Sequence, residues 1–114
     1  MITNIPPRDL AIDLINRSSC RFKMAAVLAD GWGIFSWGWN SSGPSGMGMH
    51  AEEHAISRAN RRRLKGATIT VVGMNANGNW VLSMPCRERC LPLLMKVGIG
   101  HIVWMDKQGG WNVL

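Results

Sequence analysis

Two short stretches, far apart in the chain, constrain what it can fold into more than anything else: His50-Ala51-Glu52 and Pro85-Cys86-Arg87-Glu88-Arg89-Cys90. One His and two Cys supply three ligands of a tetrahedral zinc and leave the fourth position for water. Glu52, two residues beyond the His, is then placed to move that water's proton. A fold that uses these residues must bring both stretches to one point. With three His and three Cys in the whole sequence, little metal-binding chemistry is left over by accident.

The 114 residues fit one domain, 1–114, with a modest core. Hydrophobic residues make up 46% and charged ones 18%, which excludes a disordered chain. No apolar run approaches the roughly 20 residues of a membrane helix. Met1 to Pro7 lacks the basic and apolar regions of a signal peptide, and two of the three cysteines are spaced as ligands. A cytoplasmic location with reduced thiols is therefore expected. Cys20, the cysteine outside the motif, is expected to be a small buried filler. The net charge of +6 favours an anionic partner, a nucleotide or nucleic acid. Much of it comes from Arg58 to Lys65, whose arginines would also suit the C-terminal end of a helix dipole.

The hydrophobic pattern reads as α-β-β-α-β-α-β-β. Leu10, Leu14 and Ile15 recur at helical spacing after Pro6-Pro7, predicting a helix over 8–17. Runs 22–29 and 34–40 read as strands joined at Asp30-Gly31-Trp32-Gly33. Segment 41–49, rich in Ser, Gly and Pro, reads as a loop, and 51–64 as a helix. A β-branched strand over 67–73, a turn at 75–79, a helix over 86–97 and strands over 101–105 and 111–114 complete the order. This pattern predicts an α/β fold with helices packed on a central sheet. On a helix over 86–97, Cys86 and Cys90 would share a face and reach a common metal.

Together, His50-Ala51-Glu52-Glu53-His54-Ala55-Ile56, Pro85-Cys86 with Cys90, and then Leu94 resemble the zinc signature of the cytidine and deoxycytidylate deaminase superfamily. That resemblance implies a three-layer α-β-α fold with a mixed sheet. It implies Zn2+ held by His50, Cys86 and Cys90, and hydrolytic deamination with Glu52 as proton shuttle. Gly38-Trp39-Asn40 is similar to the strand end where the family's Asn contacts the sugar or base. Ser83-Met84-Pro85-Cys86 is similar to the loop beside the base. Asn40, Ala51, Met84 and Pro85 are thus the expected substrate contacts, Ala51 through its backbone N–H. The two cysteines are three residues apart where the family more often has two, and Met84 stands where several relatives have a polar residue.

The same residues also fit other uses. His50 to His54 also fits the His-x-x-Glu-His pattern of inverted zinc proteases, which would leave both cysteines idle. A closed structural site with His54 as fourth ligand would leave Glu52 without a task. Among six tryptophans, Trp37 and Trp39 alternate onto one strand face, where core filling is expected. Trp32 and Trp80, near turns, are the ones expected to be exposed and could stack on a base. His101 is expected to be structural. The segment 106–110 has no room for a helix, so the last two strands should form an antiparallel hairpin. That arrangement resembles the family branch of free-cytidine deaminases, antibiotic-nucleoside deaminases and some deaminase toxins. The free-cytidine deaminases typically have Cys as first ligand, whereas this chain has His50. The expected substrate is a cytidine-type nucleoside or nucleotide converted to its uracil form. The alternatives are cytosine in single-stranded DNA or RNA, or a non-catalytic zinc-stabilised nucleic-acid-binding module. A homo-oligomer is the expected assembly.

Overall fold

The computed structural model describes residues 5–42 and 48–114. Its elements run α1 (Pro7–Leu14), β1 (Lys23–Asp30), β2 (Gly33–Trp39), α2 (Ala51–Ser57), β3 (Thr68–Met74), α3 (Cys90–Lys96), β4 (His101–Met105) and β5 (Trp111–Val113). The strands form one sheet in the order β2-β1-β3-β4-β5. β3 and β4 are parallel, and the other neighbours are antiparallel, including the terminal β4–β5 pair. The mixed sheet and closing hairpin match the sequence reading.

Alternation along the strands divides the core into two layers. Ala25 and Val27 of β1 pack with Val72 and Met105 against Ala11, Leu14 and Ile15 of the first helical segment. Ala26, Leu28, Ile69, Val71 and Ile102 face the other way, onto Ala51, Ala55 and Ile56 of α2 and Leu94 of α3. The run Met24–Ala29 is apolar on both faces because β1 is covered on both sides, as inner strands of layered α/β sheets are. α2 lies very close to β2. A Cβ at Gly38 would stand 2.5 Å from the Ala55 nitrogen and 2.8 Å from His54 Cβ, so only glycine allows this approach.

Both zinc-motif helices are shorter than the pattern predicts. α2 ends at Ser57 instead of running to Leu64, and Arg61–Arg63 form a separate 3-10 turn. The cause is Asn60, whose side chain accepts the Arg62 N–H at 3.1 Å and starts a new turn. Arg58 therefore caps α2, whereas Arg61, Arg62 and Arg63 do not sit at its end. Arg63 instead makes a bidentate pair with Asp30, at 2.7 Å from each oxygen. α3 begins at Cys90 instead of Cys86. Pro92 explains this, since its ring would collide with the carbonyl four residues back and is tolerated only in a first turn.

The loop expected at 41–49 lies partly outside the described residues. Its ends pair with each other, Ser41 N–H to Met49 O at 3.0 Å and Met49 N–H to Ser41 O at 2.9 Å. Trp32 is 94% exposed as expected, whereas Trp80 is half-buried against the α1-side core. Cys20 is half-buried, so it does not fill the core. His101 opens β4, exposed, its amide bonded to Ala67 O at 3.2 Å.

Candidate active site

The sheet brings the two motif segments together where α2 and α3 begin. His50 precedes α2, Cys90 opens α3, and Cys86 lies in the turn before it. Their ligand atoms all fall within 4.8 Å of one another. His50 Nδ1 is 3.0 Å from Cys90 Sγ and 3.8 Å from Cys86 Sγ. For a tetrahedral zinc at ordinary bond lengths, N···S and S···S separations come to about 3.6 and 3.8 Å. The donor set fits that ion; the His50–Cys86 separation is close to the expected value and the His50–Cys90 one is shorter.

The two cysteines do not converge through a shared helix face, because Cys86 precedes the helix. Instead its Sγ accepts the Cys90 N–H at 3.3 Å, and its carbonyl accepts the Leu91 N–H at 2.8 Å. The chain thus folds back over the start of α3. Upstream, Ser83 is fully buried and anchors the segment to the middle of β3 and the end of β4. Its Oγ is 2.9 Å from the carbonyl oxygens of Val71 and Met105 and accepts the Met105 N–H at 2.9 Å.

Glu53 ties the two motif segments to each other. One oxygen accepts the His50 N–H at 2.8 Å and the other accepts Arg89 Nε at 2.7 Å. Arg89 also donates to the Gly48 carbonyl at 2.9 Å. Burial acts to raise the Glu53 pKa, but the bonds from Arg89 and the His50 amide outweigh it and hold the carboxyl below its usual range. Sequence reasoning missed this tether. A Glu three residues after the helix-capping position was the signal that could have revealed it.

A cavity of about 210 Å³ opens beside the cluster, lined by Met24, Asn40, His50, Ala51, Glu52, Met84 and Cys86. Glu52 is 5% exposed, and burial raises its carboxyl above the usual range, against the pull of its own amide and the Cys90 thiol. Cys90 lies buried at the cluster's inner side, and its thiol is likewise raised, chiefly by burial and then by the Glu52 charge. Of the expected substrate contacts, Asn40, Ala51 and Met84 line the cavity, while Pro85 is buried next to it. The Asn40 side chain is already engaged. Its oxygen accepts from Met24 N–H (2.8 Å) and the Ser18 hydroxyl (2.6 Å), and its amide donates to Phe22 O (2.7 Å). Met24 is a cavity residue that no spacing argument pointed to, because its place follows from where β1 starts.

His54 is outside the cluster. Its Nδ1 lies 3.2 Å from both the nitrogen and the oxygen of Trp39, and the two rings meet edge to face at 4.9 Å. Among the described residues the metal-type cluster is His50, Cys86 and Cys90. That arrangement favours three protein ligands over the protease and four-ligand alternatives.

The sequence model of the cytidine and deoxycytidylate deaminase zinc-binding region matches residues 8–106. The chain belongs to that family, and its His-Cys-Cys triad is the metal-binding set typical of zinc deaminases. Among solved structures, it is similar to cytidine deaminase from Burkholderia pseudomallei, at 23% identity and a TM-score of 0.71, covering 95% of this chain and 88% of that one. It is also similar to cytidine deaminase from Mycobacterium leprae, at 24% identity and a TM-score of 0.61, covering 93% and 88%. The Mycobacterium tuberculosis enzyme matches at 20% identity and 0.58, covering 85% and 79%. These likenesses establish the fold. A search of curated proteins gave no match. No helix among the described residues is long and apolar enough to cross a membrane.

Proposed function

We propose that this chain hydrolyses cytosine to uracil in a cytidine-type nucleoside or nucleotide, with one water consumed and one ammonia released. The observation that carries this reading is Glu52, a buried carboxyl on the wall of the same cavity that His50 and Cys86 reach. His50, Cys86 and Cys90 would hold Zn2+, which supplies Lewis acidity that lowers the pKa of a water from about 16 to about 7.

Glu52 does the proton work. As a carboxylate it accepts the proton of the attacking water. As a carboxylic acid it delivers that proton to a ring nitrogen of the base, and later one to the departing amine. The burial that raises its pKa favours the protonated form that the delivery step needs. Ala51, at the first position of α2, offers its N–H to the pyrimidine carbonyl. Met84 gives the base an apolar wall, and Pro85 shapes the turn behind it. Asn40, held by its three hydrogen bonds, presents its remaining amide hydrogen at the rim towards the sugar. The cavity is smaller than the about 300–1,000 Å³ of sites that enclose drug-sized ligands, which suits a base whose sugar stays outside. A reducing, cytoplasmic compartment suits two thiol ligands. An assembly of several copies would help close so open a site.

The test is a mass-spectrometric deamination assay on cytidine, deoxycytidine, their monophosphates and adenosine. At least one cytosine substrate should turn over, and Glu52→Ala should lower that rate by about 10³-fold or more with zinc still bound. Glu52→Ala retaining full turnover, or turnover of adenosine alone, would overturn the proposal.

A further inference from the structure

We infer that the edge strand β2 carries a track for single-stranded nucleic acid, leading from Trp32 at the distal hairpin to Asn40 at the cavity rim. Its far end is Trp32, 94% exposed, whose backbone is held in place by its main-chain N–H donated to Asp30 at 2.9 Å. Asp30 is itself fixed by the bidentate pair with Arg63. A large aromatic ring on a rigid tip, with its face in water, is a stacking platform for a base.

Between Trp32 and the cavity the strand carries a basic and aromatic edge. The Arg58 guanidinium lies 5.4 Å from the Trp37 ring centre and 5.9 Å from that of Trp39. The Arg17 guanidinium also lies over the Trp39 ring, at 5.3 Å from its centre. The rings set the positions of these two guanidinium groups, and among the described residues neither is paired with a carboxylate. Both arginines are exposed, so their N–H groups can donate to phosphate oxygens. β2 is the edge of the sheet, so no further strand among the described residues covers this line. At its end, Asn40 lines the cavity.

The dimensions agree. From Gly33 to Trp39, β2 advances about 20 Å at 3.3 Å per residue. A stacked strand rising about 3.4 Å per nucleotide covers that length in about six nucleotides. One base would enter the cavity while others follow the edge towards Trp32. An acidic protein or a lipid surface would satisfy the arginines but leave the exposed Trp32 ring without a stacking partner. The terminus of the track rests on reading the cavity as a cytosine pocket, so the test uses a strand without cytosine.

Zinc-loaded protein would be titrated into a fluorescein-labelled oligothymidylate of about twelve nucleotides, across about 50 to 200 mM salt, with anisotropy as readout. Wild type should bind with affinity falling steeply in salt. Trp32→Ala should weaken binding about tenfold, and should have no effect on a strand of about three nucleotides, too short to span the track. Arg17→Gln with Arg58→Gln should reduce the log–log salt slope by about 1.4, the value for two lost phosphate contacts. Replacing both with Lys should restore most of that slope. Failure of wild type to bind, or Trp32→Ala binding the longer strand as wild type does, would overturn the proposal. Absence of deamination on every cytosine substrate, with oligothymidylate still bound through Trp32, would remove the cytosine reading and leave the track in place.

Discussion

The two ends of the β1–β2 pair are built by different physics. At the cavity end, the strands are held by short hydrogen bonds to backbone groups. Asn40 clasps Met24 and Phe22, and α2 is pressed against Gly38 too closely for any side chain. At the hairpin end, an exposed tryptophan sits on a tip secured by an ion pair, and Arg63 lies over the Phe35 ring at 4.5 Å. Geometry fixes one end and charge fixes the other. Catalysis needs donors positioned to fractions of an ångström, which neutral contacts provide independently of salt. A binding surface needs reach and charge, which the exposed end supplies.

The largest effect expected from this contrast is at Gly38. Gly38→Val would force α2 away from β2 and should cost about 3 kcal/mol in urea unfolding, with loss of zinc retention because His50 moves with the helix. At the other end, Gly33 adopts φ 115° with open space around it, so Gly33→Ala should cost about 1–2 kcal/mol of backbone strain and leave zinc retention unchanged. Equal loss of zinc in both variants would show that the two ends are not separable. Next come the residues that join the motif segments. Glu53→Gln and Arg89→Gln should each weaken zinc retention about 10- to 100-fold in competition with a chelating dye, because the ligands lose their fixed spacing. Asp30→Asn should not change it. Zinc affinity unmoved in both Glu53→Gln and Arg89→Gln would reduce the tether to an ordinary surface pair.

The same contrast explains what was legible in the sequence. His50, Glu52, Cys86 and Cys90 could be singled out because zinc chemistry demands particular residue types. The layered sheet could be read because alternating and continuous apolar runs report burial directly. Helix ends were misjudged where one side chain competes with the helix, Asn60 after α2 and Pro92 inside α3. Helical spacing alone predicts the convergence of the cysteines on one helix face, whereas a turn anchored by buried Ser83 accomplishes it. Met24 and the Glu53–Arg89–Gly48 tether depend on contacts between segments distant in sequence, and no local pattern encodes those.

The smallest effect, and the one that isolates the charged end, concerns Asp30. The Arg63 guanidinium beside it, assisted by the Trp32 and Gly33 amides against some desolvation, lowers its pKa from 3.8 to about 2. A carboxyl with a depressed folded-state pKa stabilises the fold above its unfolded value and loses that contribution as pH falls through the folded one. Wild type should therefore exceed Asp30→Asn in thermal stability by a constant margin above about pH 5. The margin should shrink between 3.8 and about 2 and vanish below that. High salt should reduce it as well, because the pair is at the surface. Melting curves of the two proteins across this range decide the matter. A margin that persists unchanged below pH 2 would mean that Asp30 holds the hairpin through neutral hydrogen bonds to the turn, and that this end too is fixed by geometry.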